Sequence, residues 1–304
     1  MKTPTHILRL LAVLIVGLCC LVVANPSRSS AGVTIITHGL NGNTDDWVDA
    51  MADAIPNHPR FFGTNSTIYK LDVTYSSGFY YLSWLRESGV LPSSSESGEI
   101  IVKLDWRTLA NNSFSTYNVA WAVGYWLQLT NLISEMSSHA LSEFPLHLVG
   151  HSRGGSLMCE LSRQLGTNGI WIDHLSTLDP HPLNNDGFVD FPYTVVDAPA
   201  RTYENVLFHD NNWQDLNFFV FGEPVAGAYT RKLTFLDGGY GGGAASHSDA
   251  HLWYHGSVDW NTPTSDSVAS LSSSERLTWY HRCASECEAA PPPYPPSRNV
   301  SFRV

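Results

Sequence analysis

The chain has 304 residues, 43% of them apolar and 15% charged, which bounds it to one large α/β domain or two small ones with a real core. Its 17 Lys and Arg against 28 Asp and Glu leave a formal charge of −11, and that balance argues against nucleic acid as a partner. Two of the five cysteines, Cys283 and Cys287, are spaced C-x-x-x-C with no other Cys or His at ligand spacing, so neither a metal nor a cofactor is expected.

In chain order, Lys2 and Arg9 introduce the apolar run ILRLLAVLIVGLCCLVVA, and small residues follow at Ala24 and Ala31. That order of charge, apolar stretch and small residue is the pattern of a secretory signal over residues 1–24, with cleavage as late as 31; an uncleaved membrane anchor is the alternative. Cleavage removes Lys2 and Arg9 and takes the charge from −11 to −13. The expectation is a secreted or periplasmic protein without integral membrane association after cleavage. In that oxidising setting Cys283 and Cys287 could pair, leaving Cys159 as a buried thiol.

Strands and helices then alternate. GVTIITHGL reads as a strand entering a turn, and NTDDWVDAMADAI as a helix capped by Thr44 with Trp47, Met51 and Ile55 on one face. STIYKLDVT and EIIVKLDW read as strands. The region from Arg60 to Glu99 includes the aromatic-rich SSGFYYLSWLRESGVLPSSSESGE, which lines a substrate pocket or packs a hairpin on the sheet edge. YNVAWAVGYWLQLTNLISEMSSHAL predicts a long helix with Val119, Val123, Trp126, Leu127 and Ile133 turned inward. LHLV is a short apolar strand, and Leu157, Leu161 and Leu165 mark one face of the helix that Gly166 stops. IDHLSTLDP and NVLFHD are further strands, and SSSERLTWYHRC is a helix with Ser272 and Glu275 in capping-box spacing. The last residues, 289–304, form a proline-rich tail. This alternation predicts one domain over residues 32–288 with the α/β-hydrolase fold, a mostly parallel central sheet with helices on both faces.

In such sheets, sites lie beyond the carboxyl ends of the strands. There the chain reads GHSRGG, placing Ser152 between Gly150 and Gly154 at a strand-to-helix corner, the G-x-S-x-G nucleophile elbow. A serine hydroxyl needs a base to take its proton and an acid to orient that base, in chain order Ser, acid, His. The acids at downstream strand ends are Asp179 and Asp210; the histidines beyond them are His247, His251 and His255. The loop THGLNG after the first strand supplies the other half of an oxyanion hole, so the backbone N–H groups of Leu40 and Arg153 are the candidate donors.

Several segments together resemble the pancreatic lipase family of secreted α/β-hydrolases: VTIITHGLNGNTDDWVDAMADAI, IIVKLDWRTLANNSFSTYNVAWAVGYWLQLTNLI, LVGHSRGG, LSTLDPHPL and HSDAHLWYHGSV, from Val33 to about Val258. The resemblance implies Ser152 as nucleophile, Asp179 as acid, His247 as base, and the Leu40 and Arg153 amides as oxyanion hole. Asp210 and His251 stand as alternatives for acid and base. Two parts of that family's pattern have no counterpart: the disulfide-closed lid, replaced by LDGGYGGGAAS, and the C-terminal lipid-binding β-sandwich.

The functional expectation is therefore a secreted serine hydrolase cleaving carboxylic esters through an acyl-enzyme, with an ester or lipid small molecule as substrate. Without the lid, ordinary saturation on soluble short-chain esters is expected, with no rise at the solubility limit. A hydrolase of another acyl bond, such as a peptide amide, and a non-catalytic binding protein on the same fold are the other readings. No oligomeric state is implied.

Overall fold

The computed structural model describes residues 31–57, 65–91, 98–136, 139–185, 192–216, 220–236, 245–259 and 261–278. The expected signal segment, Cys283 and Cys287, the proline-rich tail and most of LDGGYGGGAAS lie outside the described residues.

Eight strands form one sheet in the order β3-β2-β4-β1-β5-β6-β7-β8. They are β1 (Gly32–Thr37), β2 (Thr67–Ser76), β3 (Phe79–Gly89), β4 (Glu99–Asp105), β5 (Leu146–His151), β6 (Ile172–Leu178), β7 (Val206–Trp213) and β8 (Tyr229–Lys232). Among the described strands only β3 runs antiparallel, hairpinned onto β2 at one edge; every other pair in the sheet is parallel. The predicted mostly parallel sheet is thus present, and the β3 and β8 strands extend it at either edge. Because β1 lies between β4 and β5, the chain changes direction across the sheet at β1. The loops leaving β1 and β5 therefore emerge side by side at the carboxyl edge, where such sheets bind ligands.

The helices are α1 (Trp47–Ala54), α2 (Arg107–Ala110), α3 (Thr116–Leu127), α4 (Arg153–Gly166), α5 (Ala245–Val258) and α6 (Ser273–Leu277). They cover both faces. On one face, Val119, Val123 and Leu127 of α3 and Leu157, Leu161 and Leu165 of α4 pack on Val33, Ile35, Val102 and Leu148. On the other, Trp47, Val48 and Met51 of α1 and Leu252 and Trp253 of α5 pack on Ile36, Ile101, Val149 and Leu178. Covering both faces explains the near-continuous apolar strands, and each buried Val or Leu contributes about 1.5–3 kcal/mol relative to exposure.

Three expectations shift, and one open alternative is decided. Thr44 does not cap α1: the cap position falls to Asp46, while the Thr44 hydroxyl donates to Asp105 Oδ2 at 2.9 Å. The long helix is only twelve residues, capped by Ser115, and closes through tight bonds from Gln128 and Leu129 to Tyr125 and Trp126. Thr130 and Asn131, both weak helix formers, follow. Ile133 is still buried in the same core beyond the helix end. The aromatic stretch is an edge hairpin, with Tyr80, Leu82 and Trp84 packed on the core and Phe79, Tyr81 and Leu85 exposed. Finally, Asp210 lies inside β7, because NNW continues the strand in register with Thr177 and Leu178 on one side and Arg231 on the other. The capping box of Ser272 and Glu275 is present at the start of α6.

Candidate active site

At the corner between β5 and α4, Ser152 has φ 57° and ψ −129°, a region that side chains rarely occupy and that costs of order 1–3 kcal/mol. Three backbone bonds hold it there: Ser152 N–H donates to Leu178 O at 2.9 Å, and Ser152 O accepts from Gly155 and His181 at 2.9 and 3.1 Å. The flanking glycines are required by contact. A Cβ on Gly150 would lie 2.3 Å from Gly154 O, and one on Gly154 would lie 2.4 Å from His38 O. The second of these shows how closely the β1 loop approaches the corner.

Asp179 directly follows β6 in the left-handed region, φ 46°, fully buried. Its Oδ2 takes the Nδ1–H of His247 at 2.6 Å, and three further N–H groups donate to the same carboxylate. Gln214 supplies its backbone N–H at 2.8 Å and its side-chain amide at 2.7 Å; Gly222 supplies its N–H at 2.9 Å. Position 222 can only be glycine at this separation, because a Cβ there would meet Asp179 Oδ1 at 2.3 Å. Burial pushes the Asp179 carboxyl up to about 7, against the opposing pull of the Gln214 and Gly222 bonds. Burial also takes the His247 imidazole down to about 3, with His181 adding to it. With three N–H groups already donating to Asp179, the proton between the pair belongs on His247 Nδ1, which leaves Nε2 free to accept another.

His247 sits in the first turn of α5, and its own carbonyl accepts from His151 Nε2 at 2.7 Å, tying the helix to the residue before Ser152. Ser152 and His247 each keep 7% exposure. No hydrogen bond joins their side chains among the described residues; in free enzymes such bonds are often long and tighten around substrate. The Leu40 and Arg153 amides have no protein acceptor among the described residues. Arg153 is the first residue of α4, where the helix leaves its leading N–H groups unpaired.

The alternative residues are placed elsewhere. Asp210 bonds His174 Nε2 at 2.7 Å and Ser176 Oγ at 2.6 Å, away from α5's first turn. His251 is buried against Trp47, ring centroids 4.7 Å apart, and neither of its ring nitrogens has a hydrogen-bond partner. His255 is likewise buried, its Nε2 unpartnered. Gln214 and Gly222 escaped sequence reading because they reach Asp179 only through the fold; the one local signal is their position in the segment that follows β7. Among the described residues no group of three or more His, Cys, Asp or Glu is arranged to hold a metal ion. None of the described helices is long and apolar enough to cross a membrane.

The chain matches no known protein-family profile and no curated protein. Among solved structures it is similar to a candidate cell surface hydrolase of Lactobacillus plantarum WCFS1, at 14% identity and a TM-score of 0.44, over 84% of this chain and 98% of that one. A second similarity is to the product of gene lin2722 of Listeria innocua, at 16% identity and a TM-score of 0.38, over 65% of this chain and 74% of that one.

Proposed function

We propose that the protein is an exported serine hydrolase that cleaves carboxylic esters through an acyl-enzyme on Ser152. The observation that carries this reading is the 2.6 Å bond between His247 Nδ1 and buried Asp179, at the same sheet edge as the strained serine corner. Ser152 Oγ adds to the ester carbonyl while His247 Nε2 takes its proton. The oxygen that gains the negative charge points to the free N–H groups of Leu40 and Arg153. As the tetrahedral species collapses, the C–O bond to the alcohol breaks and His247 returns its proton to the departing oxygen. A water molecule then repeats the sequence on the acyl-enzyme, and the acid is released. Asp179 keeps the imidazole in the tautomer that can accept and stabilises the imidazolium formed at each step.

Export is supported by the apolar segment that follows Lys2 and Arg9. An ester rather than an amide substrate is favoured by the resemblance of the elbow and the Leu-Asp-Pro segment to lipases. Reaction of the full chain with a fluorophosphonate tests the mechanism: a single adduct on Ser152 is expected. An adduct elsewhere, or none on folded protein, overturns it, and a panel of p-nitrophenyl esters against peptide amides then tests the bond class.

A further inference from the structure

The residue after the serine carries a buried cation. The Arg153 side chain has no exposure and lies over Trp106, 5.1 Å from the ring centroid. Its counter-ion is Asp197, bonded to Nε at 2.7 Å and to Nη2 at 2.9 Å. Asp197 also accepts from the backbone of Thr116 at 2.9 Å and of Leu183 at 3.0 Å, so both carboxylate oxygens are fully used. A buried pair of this kind is a poor source of net stability compared with apolar side chains of the same volume. The rest of the guanidinium shows what else it does.

Nη1 and Nη2 donate to Ala110 O and Phe114 O, the two carbonyls that bracket the loop carrying Asn111. Asn111 is exposed, and its Oδ1 accepts the backbone N–H of Asn41 at 2.7 Å. Asn41 itself has φ 56°, a left-handed conformation held by that bond. The preceding residue is Leu40, one of the two amides assigned above to the oxyanion. A second link runs through Trp106, whose Nε1–H donates to His38 O at 3.0 Å, two residues before Leu40.

We propose that the Arg153–Asp197 ion pair and Asn111 are positioning groups that set the distance between the two oxyanion donors, Leu40 N–H and Arg153 N–H. The inference rests on the serine hydrolase reading and deepens it. Arg153 acts twice: its amide faces the substrate oxygen, and its side chain, through the 110–114 loop and Asn111, holds the other amide in place. A preorganised pair of donors stabilises the tetrahedral oxyanion and does little for the ground-state ester, so loosening it acts on the chemical step.

The test compares Asn111→Ala and Asp197→Asn with the parent protein on p-nitrophenyl butyrate and on an aryl trifluoromethyl ketone, which forms a tetrahedral adduct with a serine. Asn111→Ala is expected to lower kcat about 10-fold with KM changed by less than about 2-fold, and to weaken the ketone's Ki by the same factor as kcat/KM. Asp197→Asn is expected to do the same with a larger loss. Because Asp197 is buried, that variant could fail to fold; Asn111 is on the surface, so its variant decides the matter alone. An Asn111→Ala protein with parental kcat and Ki overturns the inference. Fluorophosphonate labelling of the parent keeps the two levels apart: labelled at Ser152 with Asn111→Ala unaffected, only the positioning role falls; unlabelled, the hydrolase reading falls and takes the positioning role with it.

Discussion

Among the described residues, two clusters of serine, histidine and aspartate differ in wiring rather than in composition. In one, Asp179 holds His247 through Nδ1, so that Nε2 is left for another partner, and Ser152, nearly buried, sits at a strand-to-helix corner. In the other, Asp210 and Ser176 both meet His174 at the same nitrogen, Nε2, at 2.7 and 3.2 Å. Ser176 also donates directly to Asp210 at 2.6 Å, approaches His147 Nε2 at 3.1 Å and Tyr254 OH at 3.1 Å, and is fully buried. A relay needs an imidazole that receives the serine's proton on one nitrogen while the acid holds the other. The second cluster closes on itself, with its serine already committed to the acid.

Electrostatics separates the two acids as well. Asp179 is pushed up by burial. Burial also acts on Asp210, but the His174 and Ser176 bonds outweigh it and hold that carboxyl below its ordinary range. Location follows the same line: Asp179 lies just past the end of β6, whereas Asp210 lies within β7. The Asp210 cluster fastens β6 and β7 to α5 through Tyr254, and the comparison teaches that residue type identifies a catalytic group only together with the atom it presents and the sheet edge it reaches.

The largest expected effect breaks the first cluster outright. Ser152→Ala should lower kcat on soluble p-nitrophenyl esters by about 10⁴ to 10⁶, with an unchanged circular dichroism spectrum. Next comes the pair of acids. Asp179→Asn should cost on the order of 10³ to 10⁴ in kcat by losing the tautomer control of His247, while Asp210→Asn costs stability but leaves kcat within a few-fold. Steady-state kinetics on the two purified variants decides, and a dead Asp210→Asn would reverse the assignment of roles. The histidines sharpen the comparison further: His247→Ala should be as inactive as Ser152→Ala, whereas His251→Gln, which leaves the Asp179 bond in place, should keep most of its activity.

The smallest effect is in the pH dependence of stability. Burial takes His151 down to about 3 and His251 well below its ordinary value, so both stay neutral in the folded chain while the unfolded chain protonates near 6.5. Folded pKa values depressed in this way confer stability that is complete above pH 6.5 and is lost as pH falls toward the folded value. Each such group contributes a slope of about 1.4 kcal/mol per pH unit once pH falls below about 6, for His151 down toward its folded value of about 3. Urea unfolding of the parent and of His251→Gln across that range should give a slope shallower by about one proton in the variant; parallel slopes would show that His251 is protonated in the folded protein.

Local patterns determined a large part of this protein. The run of apolar strands, the elbow glycines, the Leu157, Leu161 and Leu165 face and the capping box of Ser272 are written in neighbouring residues, because strand burial, tight corners and helix caps depend on side chains a few positions apart. For the same reason Ser152 could be singled out before any folding was considered. Neighbouring residues alone do not separate Asp179 from Asp210 or His247 from His251; the sequence favours the first of each pair only through the Leu-Asp-Pro match and the segment that His247 opens. Where β7 ends is set by the pairing of Asn211 and Asn212 with β6 and β8, and His247 meets Asp179 across 68 residues of chain. Gln214, Gly222, Asp197 and Asn111 are ordinary polar or small residues in sequence. They bear on the site only because backbone segments distant in the chain arrive within hydrogen-bond distance, and hydrogen bonds of that range are products of tertiary packing, which no local pattern encodes.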